Sequence, residues 1–214
     1  MKVIIFGATG MIGQGALRES LLAQDVTRVL TVGRRPTGLR HPKLTELTVP
    51  DAGDLTAIED RLDGYDACFY CLGITSAGVD EQTYTRITYD YPAMAAHTLA
   101  ARNPDLTFVY VSGAGSNPDG RTMWSRVKGR AELEIIKTFK HGYAFRPGFI
   151  QPTHGATSRT RLYRVGYDLL APLTPLIIRW FPRIATTTDA LGRAMLRAAR
   201  TGFPTHIVEN ADLR

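Results

Sequence analysis

Short continuous runs of apolar residues alternate with amphipathic segments along the first two-thirds of the chain. Runs such as VIIF and ACFYCL lack the polar alternation of a half-exposed strand, so they predict strands that are covered on both faces of a sheet. We predict strands near 2–6, 28–32, 44–49, 66–72, 106–112 and 143–146, and helices near 11–23, 54–62, 81–102 and 124–139. Elements that alternate in this way indicate an α/β fold with a doubly wound parallel sheet.

The pattern changes after residue 148, where prolines, aromatic residues and arginines replace the regular alternation. We interpret 1–214 as a single domain with a core over 1–150 and a small irregular C-terminal lobe over 151–214. A final helix is predicted near 188–200 and a short strand at 205–208. This lobe contains the stretch RTRLYRVGYDLLAPLTPLIIRWFP. Its side chains could form an apolar wall for a substrate or contact a membrane surface. The favoured interpretation is that they complete the hydrophobic core.

Composition is that of an ordinary globular protein, with 44% apolar and 21% charged residues among 214. No apolar run approaches the about 18 residues of a membrane span. The first apolar run is too short for a signal peptide and lacks a cleavage-site pattern, so we expect a cytoplasmic protein.

The formal net charge of +6 favours anionic partners. The basic residues are scattered along the chain and do not form the dense run of a nucleic-acid-binding arm. A phosphorylated cofactor is therefore expected, and nucleic acid is not. We also expect a small-molecule substrate and no membrane span, and we leave the oligomeric state open, with a homodimer as one candidate.

Cys68 and Cys71 are the two cysteines, and they are spaced C-x-x-C. This spacing occurs in redox pairs and in halves of metal sites. Here it falls within the apolar run DACFYCLG, where residues three apart on a strand point to opposite faces. We therefore expect buried core cysteines, and no metal site.

The first predicted strand runs directly into three glycines in the sequence VIIFGATGMIGQG. Gly7 permits a tight turn, Gly10 allows backbone N–H groups to approach a pyrophosphate, and Gly13 allows the helix to pack closely on the sheet. The amino terminus of that helix offers free N–H groups to phosphate. Together with the neighbouring Thr9, Met11 and Ile12, these residues predict a dinucleotide-binding turn of the Rossmann type.

The residues after the second strand select between the two nicotinamide dinucleotides. A protein that binds NAD usually carries an acid there that holds the ribose 2′-hydroxyl. This chain reads LTVGRRP, with Arg34 and Arg35 in that place. Guanidinium groups bind a 2′-phosphate through charge-assisted hydrogen bonds. The sequence therefore predicts NADP(H) as the cofactor.

Further cofactor contacts are expected by position in the fold. Asp51, just beyond the third strand, is a candidate acceptor for the adenine amino group. Cys71, Leu72 and Gly73 end the fourth strand and are expected to border the cleft for the ribose and diphosphate. Pro147, at the end of the sixth strand, completes the predicted set together with the lysine considered below.

The motifs GATGMIGQG, GRRP, FYCLGIT, VYVSGAG, VKGRAELE and FRPGFI occur in an order that resembles the atypical short-chain dehydrogenases/reductases. The order is similar to the Tat-interacting-protein branch and to proteins labelled NAD-dependent epimerase/dehydratases. The resemblance covers nearly the whole chain and is firmest over 1–150. It implies a Rossmann fold that binds NAD(P) and a reaction that uses a Ser, a Tyr and a Lys.

Carried over residue by residue, the resemblance makes Ser112 the catalytic serine and Lys128 the catalytic lysine. The Tyr-x-x-x-Lys spacing places two side chains on one helix face. The tyrosine position is Trp124 in this chain. An indole N–H is a donor that does not titrate near neutral pH, so Trp124 cannot be the general acid. Among substitutes, Tyr84, Tyr89, Tyr163 and His154 remain open.

Two functions follow from these residues. The favoured one is an NADP(H)-dependent oxidoreductase that acts on a small carbonyl or quinone-like compound. The other is a non-catalytic NADP(H)-binding redox sensor or regulatory protein, which Trp124 supports. A sugar-nucleotide epimerase is disfavoured because the tyrosine is missing and the carboxyl lobe is short.

Overall fold

The computed structural model describes residues 1–156 and 185–213. Within these residues, seven parallel strands form one sheet in the order β3-β2-β1-β4-β5-β6-β9. A separate parallel pair is formed by β7 and β8. In chain order the strands are β1 (Lys2–Phe6), β2 (Arg28–Gly33), β3 (Leu44–Thr48), β4 (Ala67–Tyr70), β5 (Thr107–Val111), β6 (His141–Arg146), β7 (Phe149–Gln151), β8 (Ala185–Thr187) and β9 (Ile207–Glu209).

Helices cover both faces of the main sheet, which confirms the predicted doubly wound α/β class. They are α1 (Met11–Leu22), α2 (Glu81–Thr85), α3 (Tyr91–Arg102), α4 (Met123–Thr138) and α5 (Thr188–Thr201). Short 3₁₀ segments occupy Thr56–Arg61 and Asn210–Asp212. None of the helices in the described ranges is both long enough and apolar enough to span a bilayer.

The alternation of side chains along β1 divides the core into two layers. Val3 and Ile5 face the layer of α1 and α5, whereas Ile4 and Phe6 face the layer of α3 and α4. All four side chains are fully buried. A strand with both faces covered has no solvent-facing position, which explains the continuous apolar runs in the sequence.

The predicted helix over 81–102 is interrupted by a π-helical segment at Arg86–Asp90. A π turn widens the backbone and frees carbonyl groups from the regular ladder. Here the hydroxyl of Tyr110, on β5, donates to the carbonyl of Thr88 at 3.1 Å. The helix predicted near 54–62 is 3₁₀ rather than α, and the Asp54 carboxylate accepts from Thr56 N–H at its start.

The carboxyl-terminal region contains both confirmed and unforeseen elements. The helix predicted near 188–200 is α5, and the strand predicted at 205–208 is β9, which adds to β6. The sequence did not predict the pairing of β7 with β8. The aromatic and arginine-rich stretch, including Tyr163, lies outside the described residues.

Helices α1 and α5 touch through glycines. A Cβ added to Gly15 would lie 2.7 Å from the carbonyl carbon of Thr188, and one added to Gly192 would lie 2.8 Å from the carbonyl oxygen of Gly15. Contacts this short are not found for real Cβ atoms. The two helices therefore pack backbone to backbone, and α5 lies in the same layer as α1, the helix that follows the glycine turn.

We expect Gly15→Ala to destabilise the protein. Overpacking costs about 1–3 kcal/mol, which exceeds the helix-propensity gain of about 1 kcal/mol for replacing glycine by alanine. The free energy of unfolding from denaturant titration measures the effect. Gly113→Ala is the matched control, because its added Cβ would meet no atom within 4 Å. Equal stability of the two variants would contradict the close helix contact.

Candidate functional site

The turn between β1 and α1 is built from backbone atoms in close contact. Gly7 has φ +77°, and a Cβ there would lie 2.8 Å from the carbonyl carbon of Cys71. Gly10 is the N-cap of α1, and its N–H donates to the Gly7 carbonyl at 2.9 Å. A Cβ at Gly13 would lie 2.8 Å from the Cα of Ala8. At Gly7 and Gly13 a side chain would overlap neighbouring backbone atoms. The turn therefore needs glycine at these two positions, which fits a cradle for a group that the backbone approaches closely.

A cleft of about 380 Å³ opens beside this turn at the carboxyl edge of the sheet. Its lining comes from the ends of β1, β2 and β4 and consists of Gly7, Thr9, Gly10, Gly33, Arg34, Arg35, Cys71, Leu72 and Gly73. The first turn of α1 carries no acidic residue that would compete with an anion for its free N–H groups. The cleft therefore combines a helix amino terminus with two arginines, as a phosphate-bearing ligand requires.

Arg34 and Arg35 follow β2 and are exposed at one end of the cleft. Glu46, an acid on the neighbouring strand β3, is already hydrogen-bonded. Its carboxylate accepts from Thr37 N–H at 2.7 Å and from the Thr31 hydroxyl at 3.2 Å. This acid thereby fastens the loop that follows the arginines. Gly33 also belongs to the cleft and was not among the predicted residues, although its place directly before the two arginines is a usable signal.

Asp51 lies outside the residues that border the cleft. Its pKa is lowered first by a hydrogen bond from the Tyr91 hydroxyl and then by the N–H of Gly53. The hydroxyl of Tyr91 also accepts from the guanidinium of Arg86 at 3.0 Å. The predicted adenine acceptor is thus already engaged by its own neighbours, which the sequence did not indicate because Tyr91 is forty residues away.

The two cysteines differ in position. Cys68 is fully buried on β4, as predicted, and Cys71 is partly exposed and borders the cleft. Desolvation raises the pKa of Cys71 to about 12 and that of Cys68 well above its usual range. Both groups are therefore neutral thiols near physiological pH, and a reactive thiolate is not part of this site.

Ser112, Trp124 and Lys128 converge at the carboxyl end of β5. Lys128 Nζ donates to the carbonyl of Ser112 at 3.1 Å and lies 5.8 Å from the centre of the Tyr110 ring. Trp124 lies one helical turn before Lys128 and is partly buried, and its Cη2 would be 3.4 Å from a Cβ placed on Gly115. The structure thus brings the predicted serine and lysine together, with an indole where a phenol was expected from the resemblance.

The hydroxyl of Ser112 is held by a second serine. It lies 2.9 Å from the hydroxyl of Ser116, and either oxygen can be the donor of this hydrogen bond. The Ser116 hydroxyl also lies 2.8 Å from the carbonyl of Gly113. Ser116 is therefore a residue of this site that the sequence reasoning missed.

Lys128 is partly exposed. Desolvation nevertheless has the largest effect on the pKa of its ammonium group. Desolvation lowers the pKa of Lys128 to about 8, and the negative charge of Glu132 acts in the opposite direction. Glu132, one turn further along α4, is buried and bonded to Arg146 through contacts of 2.6 and 2.9 Å. Its charge is therefore shared mainly with the guanidinium, which explains why it does not restore the usual pKa of the lysine.

The remaining predicted residues lie around the cleft without bordering it. Met11 and Ile12 pack against the core of the α1 layer, and Pro147 is buried, with its carbonyl accepting from Ala114 N–H at 3.0 Å.

The candidate substitutes for the missing tyrosine differ in surroundings. Tyr84 is buried, and desolvation raises its pKa. Tyr89 lies under the guanidinium of Arg130. His154 is exposed with φ 51° and borders a different cavity, against α1 and the start of α5. None of these three residues borders the dinucleotide cleft described above.

Comparison with known proteins connects this site to a group of sequences. The profile of the NAD dependent epimerase/dehydratase family matches residues 3–127. The chain is 28% identical to the mitochondrial protein FMP52 of Saccharomyces cerevisiae over 84% of its own length and 77% of that protein. It is 31% identical to fmp52-1 of Aspergillus terreus over 71% of its length and 68% of that protein. It is also 27% identical to HTATIP2 of Rattus norvegicus over 70% of its length and 62% of that protein.

Solved structures share the fold. The enzyme WbmF of Bordetella bronchiseptica, in complex with NAD⁺, superposes with a TM-score of 0.71 at 15% identity, over 99% of this chain and 76% of that one. A short chain dehydrogenase/reductase family oxidoreductase from Burkholderia thailandensis gives 0.70 at 18% identity, over 99% and 92%. At these identities the likeness establishes the Rossmann architecture.

The expected cytoplasmic location is contradicted by the comparison. The matched FMP52 proteins of Saccharomyces cerevisiae, Scheffersomyces stipitis and Aspergillus terreus are all named as mitochondrial. The prediction rested on the absence of a leader pattern before the first strand, and that absence does not determine the compartment.

We expect Glu132→Gln to destabilise the protein by about 3–5 kcal/mol, the usual cost of removing one partner of a buried ion pair. Arg146 then keeps only its partly exposed pairing with Glu209. The variant should also lower the pKa of Lys128 further, because the charge of Glu132 raises it.

Glu134→Gln on the same helix is the control, because its partner His97 is largely exposed. It should change the free energy of unfolding by less than about 1 kcal/mol. A loss as small as the control's in the Glu132 variant would show that the buried pair is not a determinant of stability.

Proposed function

The chain belongs to the NAD dependent epimerase/dehydratase family, and from that premise we propose that it is an NADP(H)-dependent oxidoreductase acting on a small carbonyl or quinone-like compound. The observation that carries the proposal is the glycine cradle with Arg34 and Arg35 beside it in one cleft. The bound dinucleotide would supply the hydride. The protein would hold its phosphates and orient the substrate oxygen.

The choice of NADP(H) over NAD(H) rests on charge at the end of β2. Arg34 and Arg35 are exposed there, and Glu46, the acid bonded to this loop, has its carboxylate engaged by Thr31 and Thr37. A charge-assisted hydrogen bond contributes about 1.5–3 kcal/mol, which is about a ten- to hundredfold preference for the phosphorylated ribose. Arginine is suited to this contact because its guanidinium presents several donors in a plane.

A second candidate function is a non-catalytic NADP(H)-binding protein that senses the redox state of the cofactor pool or regulates a partner. Trp124 is the observation that favours it, because an indole in the place of the phenol removes the usual proton donor. Loss of a general acid typically lowers a rate by about 10²–10⁴. In this case the cofactor would bind tightly and no substrate would be turned over.

We expect the double variant Arg34→Ala/Arg35→Ala to bind NADPH about 100-fold or more weakly, with little change for NADH. The physical reason is the loss of both guanidinium groups from the 2′-phosphate. Isothermal titration calorimetry with each cofactor measures the two constants. Arg40→Ala, an exposed arginine of the same loop that does not border the cleft, is the control. An equal loss for NADH and NADPH would argue against discrimination by these arginines.

Trp124→Tyr separates the two candidate functions. If the site is that of a reductase, a phenol on the same helix face as Lys128 should raise the rate of NADPH oxidation with a carbonyl acceptor by about tenfold or more. Steady-state absorbance of NADPH measures the rate, and Trp124→Phe, which removes the indole without adding a hydroxyl, is the matched control. Unchanged cofactor binding with no turnover in either form would support the binding role.

A further inference from the structure

We infer that the Nζ of Lys128 itself exchanges a proton with the substrate oxygen, in place of the missing tyrosine. The inference rests on the oxidoreductase function proposed above and assigns its acid–base step to a side chain that the resemblance gives only a supporting role. It is carried by three features of the site: the groups beside Lys128 that have no proton to give, the hydrogen bonds that Lys128 already makes, and the charges that face it.

The two neighbours of Lys128 at this end of the sheet cannot supply the proton. Trp124 has an indole N–H that donates a hydrogen bond but does not ionise at neutral pH. The hydroxyl of Ser112 is paired with that of Ser116 at 2.9 Å, and either oxygen can be the donor. An aliphatic hydroxyl is not among the side chains that titrate in the physiological range. Ser112 can therefore orient a substrate oxygen by a hydrogen bond, but it does not supply the transferred proton.

Two buried phenols, those of Tyr110 and Tyr84, are also unsuited. The Tyr110 hydroxyl is buried, and its proton is used in the bond to the Thr88 carbonyl on the π segment. Burial raises the pKa of Tyr110 and of Tyr84. Both phenols remain protonated in the physiological range, and neither is available as a base.

The hydrogen bonds of Lys128 fit both of its protonation states. Its Nζ lies 3.1 Å from the carbonyl of Ser112 and 3.5 Å from that of Val111. An ammonium has three N–H donors, so one remains after both carbonyls are served. A neutral amine has two N–H donors and one lone pair, so the same two bonds persist and the third position becomes an acceptor. The two carbonyls hold Nζ in place while its third position gains and loses a proton.

The charges that face Lys128 do little to offset the effect of burial on its pKa. On its own helix the closest acid is Glu132, which is paired with Arg146 of β6. From β5 it faces the ring of Tyr110. The other acids near α4 also have partners, since Glu134 of α4 pairs with His97 of α3 and Glu81 of α2 pairs with Arg126 of α4. Desolvation therefore dominates, and it lowers the pKa of Lys128 to about 8.

In the direction of reduction, an N–H bond of the Lys128 ammonium breaks and an O–H bond forms on the substrate oxygen. A dihydronicotinamide held in the cleft would supply the hydride to the carbonyl carbon and would be oxidised, as the carbon–oxygen π pair moves to oxygen. Lys128 is left as a neutral amine, which then takes a proton from water. In the reverse direction the neutral amine removes the hydroxyl proton.

The pH dependence of turnover tests this assignment. Reduction requires the ammonium, so kcat should be level below pH 8 and fall about tenfold per unit above it, whereas oxidation should rise to pH 8 and then level off. Lys128→Arg keeps a positive charge but cannot release a proton, and it should lose at least about 100-fold in kcat. Lys137→Arg, an exposed lysine further along α4, is the matched control. Loss of activity in Tyr163→Phe with activity retained in Lys128→Arg would transfer the role to that tyrosine and overturn the proposal.

A second readout does not depend on activity or on the stability of a variant. The protein has five lysines, and ¹³Cε labelling with NMR follows the titration of each in the wild-type chain without cofactor. Lys128 is assigned as the resonance that Lys128→Arg removes. A midpoint near 8 is expected, against about 10.4 for an unperturbed lysine. A midpoint at the unperturbed value would overturn the proposal.

The outcomes separate this inference from the function on which it rests. If the wild-type protein fails to bind NADPH in calorimetry, the proposed function is wrong. If it binds NADPH and turns over an acceptor with a rate that is independent of pH between 6 and 10, only the role of Lys128 is overturned. If it binds NADPH and turns over none of the carbonyl and quinone acceptors, the proton step is overturned and the binding role gains support.

Discussion

At the turn from β1 into α1 the main chain passes so close to Cys71 and Leu72 that no side chain fits at residue 7. The same contact recurs at Gly13 against the turn itself and at Gly15 against the start of α5. Because backbone touches backbone at all three places, α1 begins directly at the carboxyl edge of the sheet. Its free N–H groups and the two arginines after β2 are therefore positioned around one cleft.

The other half of the site depends on a buried charge. Glu132 and Arg146 join α4 to β6, and Arg146 also pairs with Glu209 at the end of β9. Since an unpaired charge in this position would be costly, the pair keeps α4 in a fixed register against the sheet. Lys128, one turn earlier on the same helix, is thereby held beneath the carboxyl end of β5. The carboxylate of Glu132 is paired with Arg146, so it offsets little of the positive charge of the nearby Lys128 ammonium.

Family membership and local chemistry point in different directions at one position. The chain shares its fold with an enzyme solved in complex with NAD⁺, and residues 3–127 match the profile of the epimerase/dehydratase family. Trp124 nevertheless stands where a titrating phenol is expected. A fold supports many chemistries, so the reaction has to be argued from the side chains present. In this site these are a lysine with a lowered pKa, a serine paired with a second serine, and an indole that only donates.

The order of strands and helices, the glycine turn and the arginines after β2 could be read from the sequence, because each depends on local periodicity or on a residue type at a fixed spacing. The engagement of Asp51 by Tyr91, the pairing of Ser112 with Ser116 and the π segment that receives the Tyr110 hydroxyl could not. These depend on which distant groups the sheet order brings within hydrogen-bond distance. A sequence determines what each side chain can donate or accept, but only the packed structure decides which partner takes the proton.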